Sequence, residues 1–240
     1  AAAQPPAAPP GAVDNRMAAA IKDQVKAELR VEGMGAGLLS TVSYEQYFHN
    51  QQQNTTQHDI NVLARMLGIA LTIPEEQAAA PPQPPQLPGK DVAEVKVMLP
   101  RVVAALTAVV QAAGAQGVQV YDVHDTHAFR YLDGSAPDIT ITRRGRDPTG
   151  FSAIMLVELQ RGELDNCHRG RCMRYCQLML HANPGRHRAL CVLTNCESME
   201  VYYAHRWQES MQYMRSSPVQ LSTGRGWEVI CQLLDRDASA

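Results

Sequence analysis

Two acidic residues stand where acids are costly. Asp138 opens the alternating stretch Asp-Ile-Thr-Ile-Thr-Arg, and Glu158 lies inside Ile-Met-Leu-Val-Glu-Leu, a run otherwise suited to a buried strand. Strand side chains alternate between faces. Asp138, Thr140 and Thr142 therefore share one face, and Glu158 shares a face with Gln160, opposite Met155, Val157 and Leu159. An isolated buried carboxylate is unfavourable unless it is paired or bound to a cation. If the two strands form a hairpin, as the nine residues between Arg143 and Ala153 allow, the acids converge and repel. Hard oxygen donors in that arrangement favour Mg²⁺ or Mn²⁺ over zinc. The plainer reading is a strand-start acid and a buried acid paired with an arginine.

Other clusters offer less. Cys167, His168, Cys172, Cys176 and His181 hold the thiolates and imidazoles that bind zinc. On a helix, however, Cys172 and Cys176 fall on an apolar face near Tyr175 and Met179, where free cysteine commonly packs in the core. His124 and His127 flank Asp125 in what reads as a polar loop. The glycines of Gly33-Met34-Gly35-Ala36-Gly37 are not followed by Lys-Ser or Lys-Thr, so they are not a phosphate loop. No nucleophile elbow is present.

The elements that must position the acids follow from periodicity. Arg101 to Ala113 predicts an apolar helix, with Pro100 in its first turn and Gly114 as its cap. Val118 to Val123, Asp138 to Arg143 and Ser152 to Gln160 predict three strands, and Asp133-Gly134-Ser135 a turn. Asn166 to His181 predicts a helix ended by Asn183-Pro184-Gly185, followed by strands over Arg188 to Thr194 and Met199 to Ala204. This order predicts an α/β protein with a mixed central sheet flanked by helices. Upstream, residues 17–31 predict a helix through Ile21, Val25 and Leu29, and Gln46 to His58 reads as a polar loop. Ile60, Leu63 and Leu67 predict a second helix, with Asp59 near its start.

Pro137-Asp138, a gap of 19 residues, and then Glu158-Leu159-Gln160, taken with this element order, resemble the PD-(D/E)xK nuclease superfamily. More narrowly, the chain resembles the nuclease-fold module in front of kinase-like domains in fungal-type kinases and Crinkler-type effector proteins. The shared features are Gln177-Leu178, Pro184-Gly185-Arg186 and Cys191-Val192-Leu193-Thr194, and the resemblance covers about residues 91 to 235. It implies a restriction-endonuclease-like core in which Asp138 and Glu158 hold Mg²⁺ or Mn²⁺, the Leu159 carbonyl adds a ligand, and phosphodiester bonds of nucleic acid are hydrolysed. Gln160 occupies the position usually held by lysine. It can orient a water but brings no positive charge, so the resemblance leaves Arg161 or Arg174 to supply it. Glu94 would be an auxiliary acid, and Gln177 would pack beside the site. The alternative implied by the missing lysine is a catalytically inactive module that binds nucleic acid or protein, linked to a kinase-like domain.

Charge and composition narrow the partners. The 240 residues carry 22 Lys and Arg against 24 Asp and Glu, a net charge of −2, which excludes a polybasic binder. Locally the balance differs. From Arg161 to Arg188, arginines 161, 169, 171, 174, 186 and 188 face only Glu163 and Asp165. Arg161, Arg169, Arg171 and Arg174 are thus expected to contact nucleic-acid phosphates. Val102 to Ala113 is the closest approach to the roughly 20 apolar residues of a membrane span, and Thr107 and Gln111 interrupt it. No membrane partner is expected.

Six cysteines confined to the last third do not form a secreted disulfide framework, so an intracellular location, cytoplasm or nucleus, is expected. The opening Ala-Ala-Ala-Gln-Pro-Pro reads as a fragment or processed product. The composition divides the chain into a disordered Ala/Pro-rich tail over 1–16, a helical segment over 17–79, a proline-rich linker over 80–89 and the α/β domain over 90–240.

Overall fold

The structure is a computed structural model that describes residues 41–69, 87–113, 120–207, 210–222 and 224–238, all within one unit of the chain. The expected tail over 1–16, the helix over 17–31 and most of the proline-rich run lie outside the described residues.

Three helices and five strands stand at or near their expected places. Helix α3 (Leu99–Ala113), with Pro100 in its first turn, leads to β2 (Tyr121–Asp125), β3 (Ile139–Arg143) and β4 (Ala153–Leu159). Helix α4 (Asn166–Ala182) is capped by Asp165, whose carboxylate accepts the His168 N–H at 2.9 Å. It is followed by β5 (Arg188–Thr194) and β6 (Ser198–Trp207). Upstream, α2 (Ile60–Met66) is capped by Asp59, which accepts the Asn61 N–H at 2.8 Å. The Asp133-Gly134 turn has φ of 48° and 78°, the paired left-handed backbone of a tight hairpin that Asp-Gly accommodates.

The structure differs from expectation upstream. The stretch from Gln46 to His58, read as a loop, holds the second half of α1 (Thr41–Gln51) and all of β1 (Thr55–His58). Tyr44, Tyr47 and Phe48 recur at helical spacing among glutamines and asparagines, and all three are buried. Their burial against α4 outweighs the polar average of the segment. Strand β1 pairs in parallel with β7 (Ser210–Ser216), and Ile60, Leu63 and Ala64 of α2 belong to the main core. The expected boundary at 80–89 is therefore corrected. Residues 41–69 complete the α/β body rather than forming a separate segment. Beyond the expected strands come β7, the short β8 (Val219–Gln220) and α5 (Gly224–Ala238).

Among the described residues the sheet has eight strands in the order β1-β7-β6-β5-β4-β3-β2, with β8 beside β6. β4 and β5 are parallel, as are β1 and β7, and the other pairs are antiparallel. One face carries Ile139, Ile141, Met155, Val157, Leu159 and Val192 into a core closed by α2, α3 and α5. Strand alternation sends Thr140, Leu156, Glu158 and Glu200 to the other face, which is covered by α4 with α1 outside it. A polar stripe beneath a helix needs internal partners, and α4 supplies them. Arg169 grips the fully buried Glu200 with Nη2 at 2.7 Å from Oε1 and Nε at 3.1 Å from Oε2. Arg215 adds a second guanidinium at 3.6 Å.

Candidate functional site

The expected hairpin is present. β3 and β4 pair antiparallel with Ile139 opposite Val157, so the register continues to place Asp138 opposite Glu158. The backbone N–H of Leu159 donates to Asp138 Oδ2 at 2.8 Å, tying the first acid to the strand that carries the second. The turn before β3 is fixed by Thr126. Its buried hydroxyl donates to the Pro137 carbonyl at 2.7 Å and meets the Thr140 hydroxyl at 2.9 Å, and its N–H donates to the Asp138 carbonyl at 2.9 Å. Tyr131 also reaches the Thr140 hydroxyl, and Tyr175 of α4 donates to the Ala136 carbonyl at 3.3 Å. These bonds hold Asp138 in place.

Glu158 is 1% exposed. Its Oε1 accepts from the Arg171 guanidinium, while Oε2 is buried and has no hydrogen-bond partner. Arg171 in turn lies over the Tyr44 ring, 5.3 Å from its centroid, so α1 covers the ion pair. Burial pushes the Glu158 carboxyl well up, and the charge of Asp138 adds to it against the opposing pull of Arg171. Burial likewise pushes Asp138 up to about 6. The Leu159 N–H opposes that shift and the charge of Glu94 reinforces it.

Glu94 sits on a π turn (Glu94–Met98) leading into α3 and is half-buried, and its negative charge acts on both acids. His127 also faces Asp138, and its ring nitrogen lies 2.6 Å from Asp125 Oδ1. Asp138 and Glu158 thus share one arginine, and Glu94 adds a third negative charge. That imbalance favours uptake of a proton or a metal cation.

The remaining expected residues are placed otherwise. Gln160 is buried, and both ends of its amide serve the loop before α4. Nε2 donates to the Glu163 carbonyl, and Oε1 accepts the Asp165 N–H at 3.0 Å. Gln177 accepts from the Tyr47 hydroxyl at 2.9 Å and from Arg174, in a network that continues to Tyr213, and no hydrogen bond joins it to either acid.

The expectation of four phosphate-contacting arginines is corrected for three of them. Arg169 is held by Glu200, Arg171 by Glu158, and Arg174 is buried against Gln177 with Asp133 at 3.9 Å. Under a helix that covers buried acids, arginine turns inward as counter-charge. Arg161 alone of the four stays exposed, its Nε donating to the Asp91 carbonyl at 3.2 Å.

Among the described residues, metal-ligating atoms of three side chains approach within 4.8 Å of one another only at Asp165, Cys167 and His168. Their proximity is that of a helix cap. The same Asp165 oxygen accepts the N–H of His168 and lies 2.8 Å from its ring Nδ1. The positive end of the α4 dipole there disfavours a cation. Cys172, Cys176 and Cys191 are fully buried thiols, and burial pushes each thiol up, away from the thiolate that would bind zinc.

Sequence reasoning missed Tyr44, and its plainer reading, a buried acid paired with an arginine, did not assign that arginine as Arg171. An arginine flanked by Gly170 and Cys172 on an otherwise buried helix is the available signal for the second. No protein-family model matches the chain, and no curated protein matches its sequence.

Proposed function

We propose that this α/β domain is a nuclease-type phosphodiesterase in which Asp138 and Glu158, with Glu94 behind them, hold one Mg²⁺ or Mn²⁺ ion. The observation that carries this reading is the Oε2 atom of Glu158, buried without a partner and across the hairpin from a second, half-buried carboxylate. The donors are hard oxygens, and the excess negative charge suits a dication. Such an ion polarises a phosphodiester and lowers the pKa of an attacking water. The chain's own residues do the rest. Thr126 and the Leu159 N–H hold Asp138 in place. Gln160 secures the loop entering α4 and so acts as a positioning residue. Arg171 supplies positive charge where lysine is absent.

A second reading, an inactive nuclease-fold module that binds nucleic acid or protein, is favoured by the engagement of both ends of the Gln160 amide and by Arg171 seated on Glu158.

Titration tests the metal site, and cleavage separates the two readings. The unfolded chain releases the Asp138 proton near the ordinary carboxyl value, and the folded chain holds it to about 6. The associated stability, on the order of 3 kcal/mol, is complete below about pH 4 and is lost as pH rises through 6. Asp138→Asn is therefore expected to melt above the parent protein at pH 7.5 and level with it near pH 4. Mn²⁺ is expected to raise the melting temperature of the parent more at pH 7.5 than at pH 5, because protons compete for the ligands, and to leave Asp138→Asn unmoved. Cleavage of labelled single- and double-stranded substrates that disappears in Glu158→Ala supports the hydrolase. A Mn²⁺ shift without cleavage supports the inactive module, and a parent protein that ignores Mn²⁺ at both pH values sinks the metal site.

A further inference from the structure

A groove of about 900 Å³ opens toward the opposite end of β4 and β5 from the two acids. Its lining includes Ile154 and Leu190, near the starts of the strands, whereas Glu158 lies near the end of β4 opposite Leu193. Its floor is the core face of the sheet, with Leu67, Leu190 and Met214, while the acids face α4. Around that apolar floor stand Arg143, Arg186, Arg188, Arg206, His187 and His205. No Asp or Glu lines the groove among the described residues.

Backbone carbonyls orient two of these arginines. Arg206 donates to the carbonyls of Leu180 at 2.9 Å and Pro184 at 3.5 Å, and Arg186 donates to the Phe151 carbonyl at 3.1 Å. Arg188 and His205 are directly opposite in the β5–β6 register, a cross-strand arrangement of cation-forming side chains that an anion between them would relieve. Nδ1 of His205 is buried and has no hydrogen-bond partner.

We infer that this groove is a second binding site, which takes a phosphate ester joined to a planar apolar body: a nucleotide, either free or at the end of a single strand. Arg188 and His205 contact the phosphate, and the apolar floor receives the base. The site is separate from the acid pair and does not rest on the nuclease reading.

The test titrates the full chain in EDTA with ATP, AMP, inorganic pyrophosphate and a short fluorescein-labelled single-stranded oligonucleotide. ATP and AMP are expected to bind, and pyrophosphate more weakly than ATP because it lacks the base. Arg188→Ala is expected to weaken ATP about tenfold, the loss of one charge-assisted contact, with an unchanged melting temperature, and Arg188→Lys to recover part of it. Binding of the oligonucleotide alone, with the same loss in Arg188→Ala, supports the site and assigns its ligand to a strand. Three results overturn the proposal: no binding of ATP or oligonucleotide, binding indifferent to Arg188→Ala, or pyrophosphate binding as tightly as ATP. The assay contains no free divalent metal, so failure of the acid pair to bind Mn²⁺ leaves this result untouched.

Discussion

Arg171→Met is expected to lower the melting temperature by about 10 °C at pH 8. Removing one partner of a buried ion pair leaves the other charge uncompensated, at about 3–5 kcal/mol, and about 2–4 °C accompanies each kcal/mol in a domain of this size. Here the orphan would be Glu158, 1% exposed, with its second oxygen already without a partner. The variant also loses the contact over Tyr44. The deficit should shrink at pH 5. A buried Glu158 stripped of its guanidinium folds protonated, and keeping it neutral becomes unfavourable only as pH rises above the value at which the unfolded chain ionises. The double variant Glu158→Gln/Arg171→Met should regain most of the lost stability, because neither position then buries a charge. A single variant that melts within about 2 °C of the parent at pH 8, less than the smallest shift this penalty predicts, would show that the pair is not the counter-charge of the site.

Gly170→Ala should destabilise the fold by about 3 kcal/mol or more, at the upper end of overpacking penalties. A Cβ built at this position lies 1.9 Å from the Tyr44 carbonyl oxygen, 2.8 Å from its carbon and 3.2 Å from Phe48 Cβ. The obstacle is the α1 backbone, so no side-chain rotation relieves it and α1 must move away from α4. Intrinsic helix propensity acts in the opposite direction, favouring alanine by about 1 kcal/mol, so a net loss isolates the steric effect. What α1 gives up is specific. Tyr44 covers Arg171, Tyr47 bonds Gln177 and Tyr213, and Phe48 lies 5.7 Å from the Arg215 guanidinium. Faster amide exchange and proteolysis confined to 41–58 would mark the displaced helix, and chemical denaturation measures the cost. An alanine variant as stable as the parent would mean that the two helices do not approach this closely.

The two predictions share a cause. α4 carries Gly170 and Arg171 side by side, the first admitting α1 and the second neutralising Glu158. Packing of a polar helix and ionisation of a candidate catalytic acid are thereby coupled. Loss of α1 exposes the ion pair to water, which weakens the Arg171–Glu158 attraction and lowers the burial cost of Glu158 together.

Much of the site was legible in the residues. Alternation in Asp-Ile-Thr-Ile-Thr-Arg and in the Glu158 strand defined faces, the short connection defined a hairpin, and the hairpin brought Asp138 opposite Glu158. Asp59 at the start of α2 and the Asp133-Gly134 turn were equally local signals. Helix α5 lay in the same class although the expected elements ended with β6: Trp227, Ile230, Leu233 and Leu234 repeat at helical spacing and enter the core.

The amino-acid sequence alone determined the strands and helices around the acids and the facing of each side chain, because periodicity is a property of neighbours along the chain. Tertiary structure decided which charges neutralise one another. Four arginines close in sequence looked alike, yet Arg169 reaches Glu200, Arg171 reaches Glu158, Arg174 turns to Gln177, and Arg161 remains at the surface. It also decided that a glutamine-rich stretch becomes α1, because burial of Tyr44, Tyr47 and Phe48 depends on a groove made by residues more than a hundred positions away. Coulomb attraction and desolvation depend on distance in space, and that distance exists only once the sheet and α4 have closed over the acids.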